Sequence, residues 1–276
     1  MNALRLLGYD IKYGIIKRWY VFLITIVFAV AECRECFGLI ESLNECGFMF
    51  NHGTVMDYII YSFQGMSLYT FDPRNPFTIP LFWFVFQIGA SYVVAYYTEN
   101  DLRKNGRNIL ISSKSRLNWW LSKVITCICS LLVYFLFTMF MIVLFALING
   151  ASFSFVASDN FCISIFSSTM LYLTAKDLIN IVIILPFVVT TAICLCQVAC
   201  SLVFSPVLCF ATVSGIYVLS AYYTSPWFIG NYTMWQRCSY YVENGVSPDA
   251  GFLMSIMLMI LAIGYGSYII KSKDIF

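Results

Sequence analysis

Residues 178–236 read LINIVIILPFVVTTAICLCQVACSLVFSPVLCFATVSGIYVLSAYYTSPWFIGNYTMWQ, and this stretch decides the fold. Its 59 residues contain no Asp, Glu, Lys, Arg or His. About 20 helical residues cross a bilayer core, so the stretch is too long for one span. Ser205 and Pro206 lie near its middle, where a tight connection is expected because proline begins helices but does not continue them. The stretch therefore predicts two spans, at 178–204 and 207–223.

The composition of the whole chain agrees with a membrane protein. Of 276 residues, 61% are hydrophobic and only 11% are charged, against about 25% charged in ordinary soluble domains. These values exclude a disordered chain, a nucleic-acid binder and a conventional soluble enzyme. We expect one all-α integral membrane domain over residues 1–276, with no nucleic-acid partner and the lipid bilayer as its surroundings.

Four further apolar segments bring the predicted number of spans to six. The complete set of predicted spans is 19–40, 79–97, 124–148, 178–204, 207–223 and 251–270. The first predicted span is free of charged residues only as far as Ala31, after which Glu32, Arg34 and Glu35 interrupt it. It therefore either ends near Ala31 or carries charges at its outer end.

The distribution of basic residues predicts the orientation. If the N-terminus is cytosolic, the inner segments hold twelve of the sixteen Lys and Arg residues. Both termini are then cytosolic. The segment before the first span is amphipathic, with Leu4, Leu7, Ile11 and Ile15 at helical spacing, and lacks a signal-peptide cleavage site. It predicts a helix lying in the membrane interface; the alternative is an extension of the first span into the cytosol.

Two outer segments are expected to hold more than simple connections. Residues 42–78 mix Gly, Pro and Asn with aromatic residues, which predicts a compact cap on the outer surface. Residues 161–175 form an uncharged run that is too short for a comfortable span. We interpret that run as a re-entrant or interfacial helix.

The cytosolic loop 98–123 carries the densest cluster of charge in the chain. It begins with acids, has Gly106 in its middle and continues with the apolar triplet Ile109, Leu110 and Ile111. A loop that only sets the membrane topology through its basic residues does not need an apolar triplet. The sharper interpretation is a short amphipathic helix that presents Leu102, Ile109 and Leu110 to a cytosolic partner.

This layout resembles the membrane subunit of type-2 ABC exporters, in the small form found in low-GC Gram-positive bacteria. The resemblance rests on the N-terminal helix, the six spans and the loop positions Glu99, Gly106, Ile111 to Arg116 and Lys123. Ile111 stands where the family has Leu, and Lys114 where Pro is common, so the turn after the helix departs from the pattern. Residues 220–237 and the Lys-Asp-Ile ending at 273–275 resemble the same permeases.

The resemblance implies a function and its partners. The loop 99–116 would be a coupling helix that docks on a separate ATPase subunit, present in two copies, in the bacterial plasma membrane. The residues implied to contact the ATPase are Glu99, Leu102, Arg103, Gly106, Ile109, Leu110 and Arg116. The translocation path would run between this permease and a second copy or a paralogous permease. ATP and Mg²⁺ would bind the partner ATPase, since this chain has no phosphate-binding loop, and we expect neither a directly bound cofactor nor enzyme activity of its own.

Few polar residues lie inside the predicted spans. Gln87 and Gln197 are candidates to line a translocation path, although an interhelical hydrogen bond is the plainer role for Gln197. We expect no catalytic group and no metal site. A tetrahedral zinc site needs four ligands, and the Cys33–Cys36 pair lacks a second cysteine pair. Cys46 and His52 would supply the other two ligands by residue type alone. The remaining alternatives are a non-transporting scaffold or immunity protein, a channel or secondary carrier, and an intramembrane enzyme.

Overall fold

The computed structural model describes residues 3–47, 51–70, 73–74, 76–95, 116–158, 161 and 174–272. These residues form helices and connecting turns; within them, the sole β pairings are two isolated bridges, Thr54 with Ser152 and Cys238 with Val246. Four helical stretches in this part of the chain are long and apolar enough to cross a membrane: Arg5–Glu45, Arg116–Ile148, Ala175–Cys200 and Pro248–Ser272. The predicted all-helical membrane architecture is confirmed at this level.

The N-terminal stretch consists of three helical pieces. Helix α1 (Ala3–Gly14) leads into a 3₁₀ segment (Ile16–Leu23), which continues as α2 (Ile24–Glu45). The path bends at Arg18, whose φ of −107° and ψ of 22° are not helical. α2 runs through Glu32, Arg34 and Glu35, so the helix does not stop near Ala31. The charged residues are therefore part of the same helix as the apolar run before them.

The next helices frame the predicted cytosolic loop. After α3 (Val55–Ser62), α4 (Leu81–Ala95) lies within the predicted span 79–97, and α5 covers Arg116–Ile148. α5 ends where the third span was predicted to end but begins eight residues earlier. The last eight residues of the predicted loop 98–123 therefore belong to the same helix as the predicted third span. Residues 116–123 are helical because Trp119, Trp120 and Lys123 are buried against neighbouring helices and so extend α5.

The long neutral stretch divides into two helices at the predicted place. α6 (Ala175–Ile179), a π-helical turn (Asn180–Ile184) and α7 (Leu185–Cys200) form one continuous stretch. Pro186 follows the π turn directly, and its missing N–H explains a departure from α-helical bonding here. Ser205 then caps α8 (Pro206–Tyr222), accepting a hydrogen bond from Leu208 N with Pro206 in the first turn. The last helix, α9, covers Pro248–Ser272.

The helices pack around an aromatic core and leave apolar faces outside. Phe86 is the centre of the core: its ring lies 4.8–5.3 Å from those of Phe28, Phe63 and Phe135. On α9, seven large apolar residues are 42–67% exposed: Leu253, Ile256, Met257, Ile260, Leu261, Tyr265 and Tyr268. An apolar outer face of this size suits contact with lipid hydrocarbon.

Three segments from the regions predicted to be outer, residues 51–70, 151–158 and 224–247, form a folded layer, here called the outer layer after that prediction. All eight residues of α3 are buried. A capping box begins α3, since Asp57 N donates to the Thr54 hydroxyl and Thr54 N donates to the Asp57 carboxylate. The same carboxylate accepts two hydrogen bonds from Ser158. The predicted re-entrant or interfacial segment 161–175 lies almost entirely outside the described residues; α6 begins at its last residue.

Candidate coupling end and buried polar pairs

The predicted ATPase-contacting residues Glu99, Leu102, Arg103, Gly106, Ile109 and Leu110 lie outside the described residues. Arg116 is the member of the set that the structure describes. It is the first residue of α5, and its guanidinium donates to the carbonyl oxygen of Lys271 at 3.5 Å. The loop thus leaves α4 after Ala95 and returns at the N-terminal end of α5, beside the C-terminal end of α9.

A buried ion pair fixes this end of α5 to the N-terminal helix. Lys123 Nζ lies 2.7 Å from Asp10 Oδ1, and both side chains are fully buried. The Ser122 hydroxyl donates to the other carboxylate oxygen of Asp10 at 2.5 Å. The Lys123 ammonium also lies 5.2 Å from the centre of the Trp119 ring. A charge pair shielded from water in this way resists separation, because either ion alone would be buried without its partner.

The same end of α5 is attached to α9. The Trp120 indole N–H donates to the carbonyl oxygen of Ile263 at 3.1 Å. Its ring fills the space beside Gly266, where any side-chain carbon would collide with it. α5 is therefore held to α1 on one side and to α9 on the other, near the end where the predicted coupling loop joins it.

The face of α1 that packs against α5 is not the apolar stripe that predicts an interfacial helix. Its buried residues are Leu6, Asp10 and Gly14, spaced by four, and they face α5. Leu7 and Ile11 of the predicted apolar stripe are only partly buried. The polar Asp10 lies in the middle of the buried face because Lys123 neutralises it. Periodicity of apolar residues alone misses such a face.

The two glutamines predicted for a translocation path lie between α4 and α7. Ser91 Oγ donates to Gln197 Oε1 at 2.5 Å, and Thr190 Oγ1 donates to Gln87 Oε1 at 2.8 Å. All four side chains are at most 3% exposed. The amide nitrogen of Gln87 is buried without a partner among the described residues. These contacts match the interhelical role that was the plainer alternative for Gln197.

Gln197 also borders open space. A cavity of about 210 Å³ lies between α7 and α8, and Gln197, Cys200 and Cys209 are among its lining residues. The cavity is almost wholly apolar, so it offers a small hydrophobic surface next to one amide. A role of Gln87 or Gln197 in a translocation path stays a prediction.

Arg237 organises the outer layer, although no feature of the sequence assigned a role to it. Its side chain is fully buried and donates five hydrogen bonds to uncharged oxygens. They go to the carbonyls of Met66, Ser67, Ser220 and Ala221 and to Asn231 Oδ1, at 2.5–3.2 Å. Burial lowers the pKa of Arg237 to about 10, so the group stays charged at neutral pH. Ser220 and Ala221 are in the last turn of α8, where a cation complements the helix dipole.

The acidic and thiol groups of α2 do not assemble into a metal site. Glu32 is 5% exposed and one of its carboxylate oxygens has no partner among the described residues. Cys33 and Cys36 are buried nearby, whereas Cys46 is exposed and His52 stacks on Phe37. No group of three or more His, Cys, Asp or Glu side chains in the described ranges could hold a metal ion.

The comparisons with known proteins add no relative. No family model matches the chain, and neither the curated proteins nor the solved structures contain a match.

Proposed function

We propose that the chain is the membrane subunit of an ATP-driven exporter, coupled to a separate ATPase through the loop 99–116. The observation that carries the proposal is the loop sequence, with its acid, glycine, apolar triplet and Ser-Arg ending. It joins α5 at an end that is attached to both α1 and α9. A load applied to such a loop is passed to three helices rather than to one, which is what coupling to an external motor requires.

The proposal includes six spans. α4 and α8 have 15 and 17 residues, about 22 and 26 Å of helix, slightly short of a core of about 30 Å. Two contacts support α4 as a span. The Tyr134 hydroxyl donates to the carbonyl oxygen of Phe86, and Arg18 donates to that of Val93. α4 therefore lies beside the middle of α5 and beside the start of the first span, at the depth of helices long enough to cross.

The proposal also includes orientation and assembly. With the N-terminus in the cytosol of a bacterial cell, the loop and both termini lie on the ATPase side and the outer layer faces outward. α1 would then lie at the inner interface as an elbow helix. Two ATPase subunits and a second permease, identical or paralogous, complete the transporter, with the substrate path between the permeases. Its substrate class follows from none of the residues described above.

The direct test is co-purification. The chain is expressed with its genomic neighbours, extracted in mild detergent and analysed for stoichiometric soluble partners. We expect an ATPase with a phosphate-binding loop, retained most strongly when its hydrolysis is blocked. If the chain elutes alone under those conditions, the coupling proposal is wrong and the scaffold and channel alternatives lead.

Variants locate the contact. Replacing Leu102, Ile109 and Leu110 together by Ala should abolish ATPase retention, because it removes the apolar face of the predicted helix. The matched control removes exposed apolar side chains from the opposite end of the molecule, Phe153→Ala with Phe155→Ala, which are 67% and 50% exposed. Equal retention by both variants would place the contact elsewhere.

A further inference from the structure

An open apolar groove runs along the N-terminal stretch. It lies between the 3₁₀ segment and α5 and has a volume of about 390 Å³, within the range of small-ligand sites of about 300–1,000 Å³. Ile16, Trp19 and Phe22 form one wall, and Val133 and Phe137 of α5 form the other. We call it the N-terminal groove.

One wall of the groove comes from the N-terminal stretch, which bends at Arg18. Ile15 and Ile16 line the groove before the bend, and Trp19, Phe22 and Leu23 line it after the bend. The segment is kept in place by Arg18, whose guanidinium donates to the carbonyl oxygen of Val93 at 3.3 Å.

The polarity of the groove fits a hydrocarbon chain. Its walls are almost wholly apolar, and Ile16, Trp19 and Val133 are 63%, 64% and 40% exposed. Val133 and Phe137 are about one helical turn apart on α5, and both belong to the predicted span 124–148.

Two basic residues are close in the sequence to Ile16, which lines the groove. Lys12 is exposed four residues before Ile16, and Lys17 is exposed directly after it. The Lys17 ammonium lies 4.2 Å from the centre of the Tyr13 ring. Neither lysine has a carboxylate partner among the described residues. An apolar channel with two such ammonium groups close to Ile16 in the sequence complements a molecule that has an acyl chain and an anionic headgroup.

We propose that the N-terminal groove binds one acyl chain of an anionic phospholipid from the leaflet on the N-terminal side. Lys12 and Lys17 bind its headgroup phosphate. The proposal depends on the membrane character of the chain and not on ATPase coupling, so the two fail separately.

The test is electron spin resonance of spin-labelled lipids with the full chain reconstituted in phosphatidylcholine bilayers. We expect spin-labelled phosphatidylglycerol to be held in preference to spin-labelled phosphatidylcholine. Each of Lys12→Gln and Lys17→Gln should lower that preference about fivefold, since a basic residue near an anionic surface contributes on that order. Val133→Trp should abolish the preference by filling the groove.

The matched control is Ile260→Trp on α9, which is 65% exposed and lies outside the groove. It should leave the preference unchanged. Equal retention of the two lipids by the unmodified chain would overturn the proposal, as would an unaltered preference in Val133→Trp. Disulfide-linked dimers that appear only with Ile16→Cys would also overturn it, because a second copy would then occupy the groove.

Discussion

Removing one partner of the Asp10–Lys123 ion pair should lower the stability of the protein far more than replacing both partners together. In Lys123→Met the Asp10 carboxylate stays fully buried after its cation has gone. Removing one partner of a buried pair costs about 3–5 kcal/mol, whereas replacing both partners together is close to neutral. Asp10→Asn should be as harmful as Lys123→Met, since it leaves the ammonium buried without its anion. The double variant should be more stable than either single one, because the amide that replaces the Asp10 carboxylate would still accept from Ser122.

The assay is the melting temperature of the purified chain in detergent, measured as loss of the monodisperse peak. A loss of 3–5 kcal/mol corresponds to about 10 °C in a chain of this size. Arg5→Gln is the matched control, because Arg5 lies on the exposed side of the same helix. Its effect should stay within about 0.5 kcal/mol. If the two single losses simply add in the double variant, the pair is not coupled and the argument about the end of α5 is refuted.

Three further variants test other contacts. Arg237→Met should destabilise the outer layer by several kcal/mol, since it leaves buried carbonyls without donors. Arg237→Lys should recover little of this stability, because lysine lacks the planar, forked arrangement of donors. Melting curves measure the stability of both variants. Gln197→Leu should cost about 1 kcal/mol through loss of the Ser91 contact, and a transport defect larger than the stability loss would favour a path role. A membrane-impermeant maleimide applied to intact cells at pH 8 should label exposed Cys46 but not Cys238. Burial raises the pKa of the Cys238 thiol to about 11, so about one in a thousand is ionised at pH 8. Equal labelling of the unmodified chain and of Cys46→Ser would show that Cys46 does not react, and this would contradict its proposed outward position.

The apolar pattern predicted where helices lie better than where they end. Each of the six predicted spans contains a helix, and the division at Ser205 follows from local chemistry, a capping side chain and a proline. The start of α5 was not predicted, because the burial of Trp120 depends on α9, which is more than 100 residues away in the chain. The presence of an apolar helix in each of these segments is thus predictable, while the exact ends of the helices depend on packing partners.

The polar contacts were hardest to predict. Asp10 and Lys123 are 113 residues apart, and nothing local marks either as a partner of the other. Arg237 did leave a signal, because it is the first charged residue after the long neutral stretch. A single charged residue next to a long neutral stretch indicates that specific hydrogen-bond acceptors surround it. The carbonyl groups that accept from Arg237 come from distant turns, however, and backbone carbonyls have no sequence signature.

The contacts of Arg237 also set an order of events during synthesis. Its carbonyl partner in Met66 is made 171 residues earlier. At about 5–20 residues per second, the early part of the outer layer waits about 10–30 s before its buried cation is synthesised. Until then the carbonyls of residues 66–67 and the end of α8 have to be satisfied by water or by other partners. The outer layer is therefore completed among the last parts of the molecule, and a chain that stops before residue 237 would be inserted in the membrane with its outer surface unfinished.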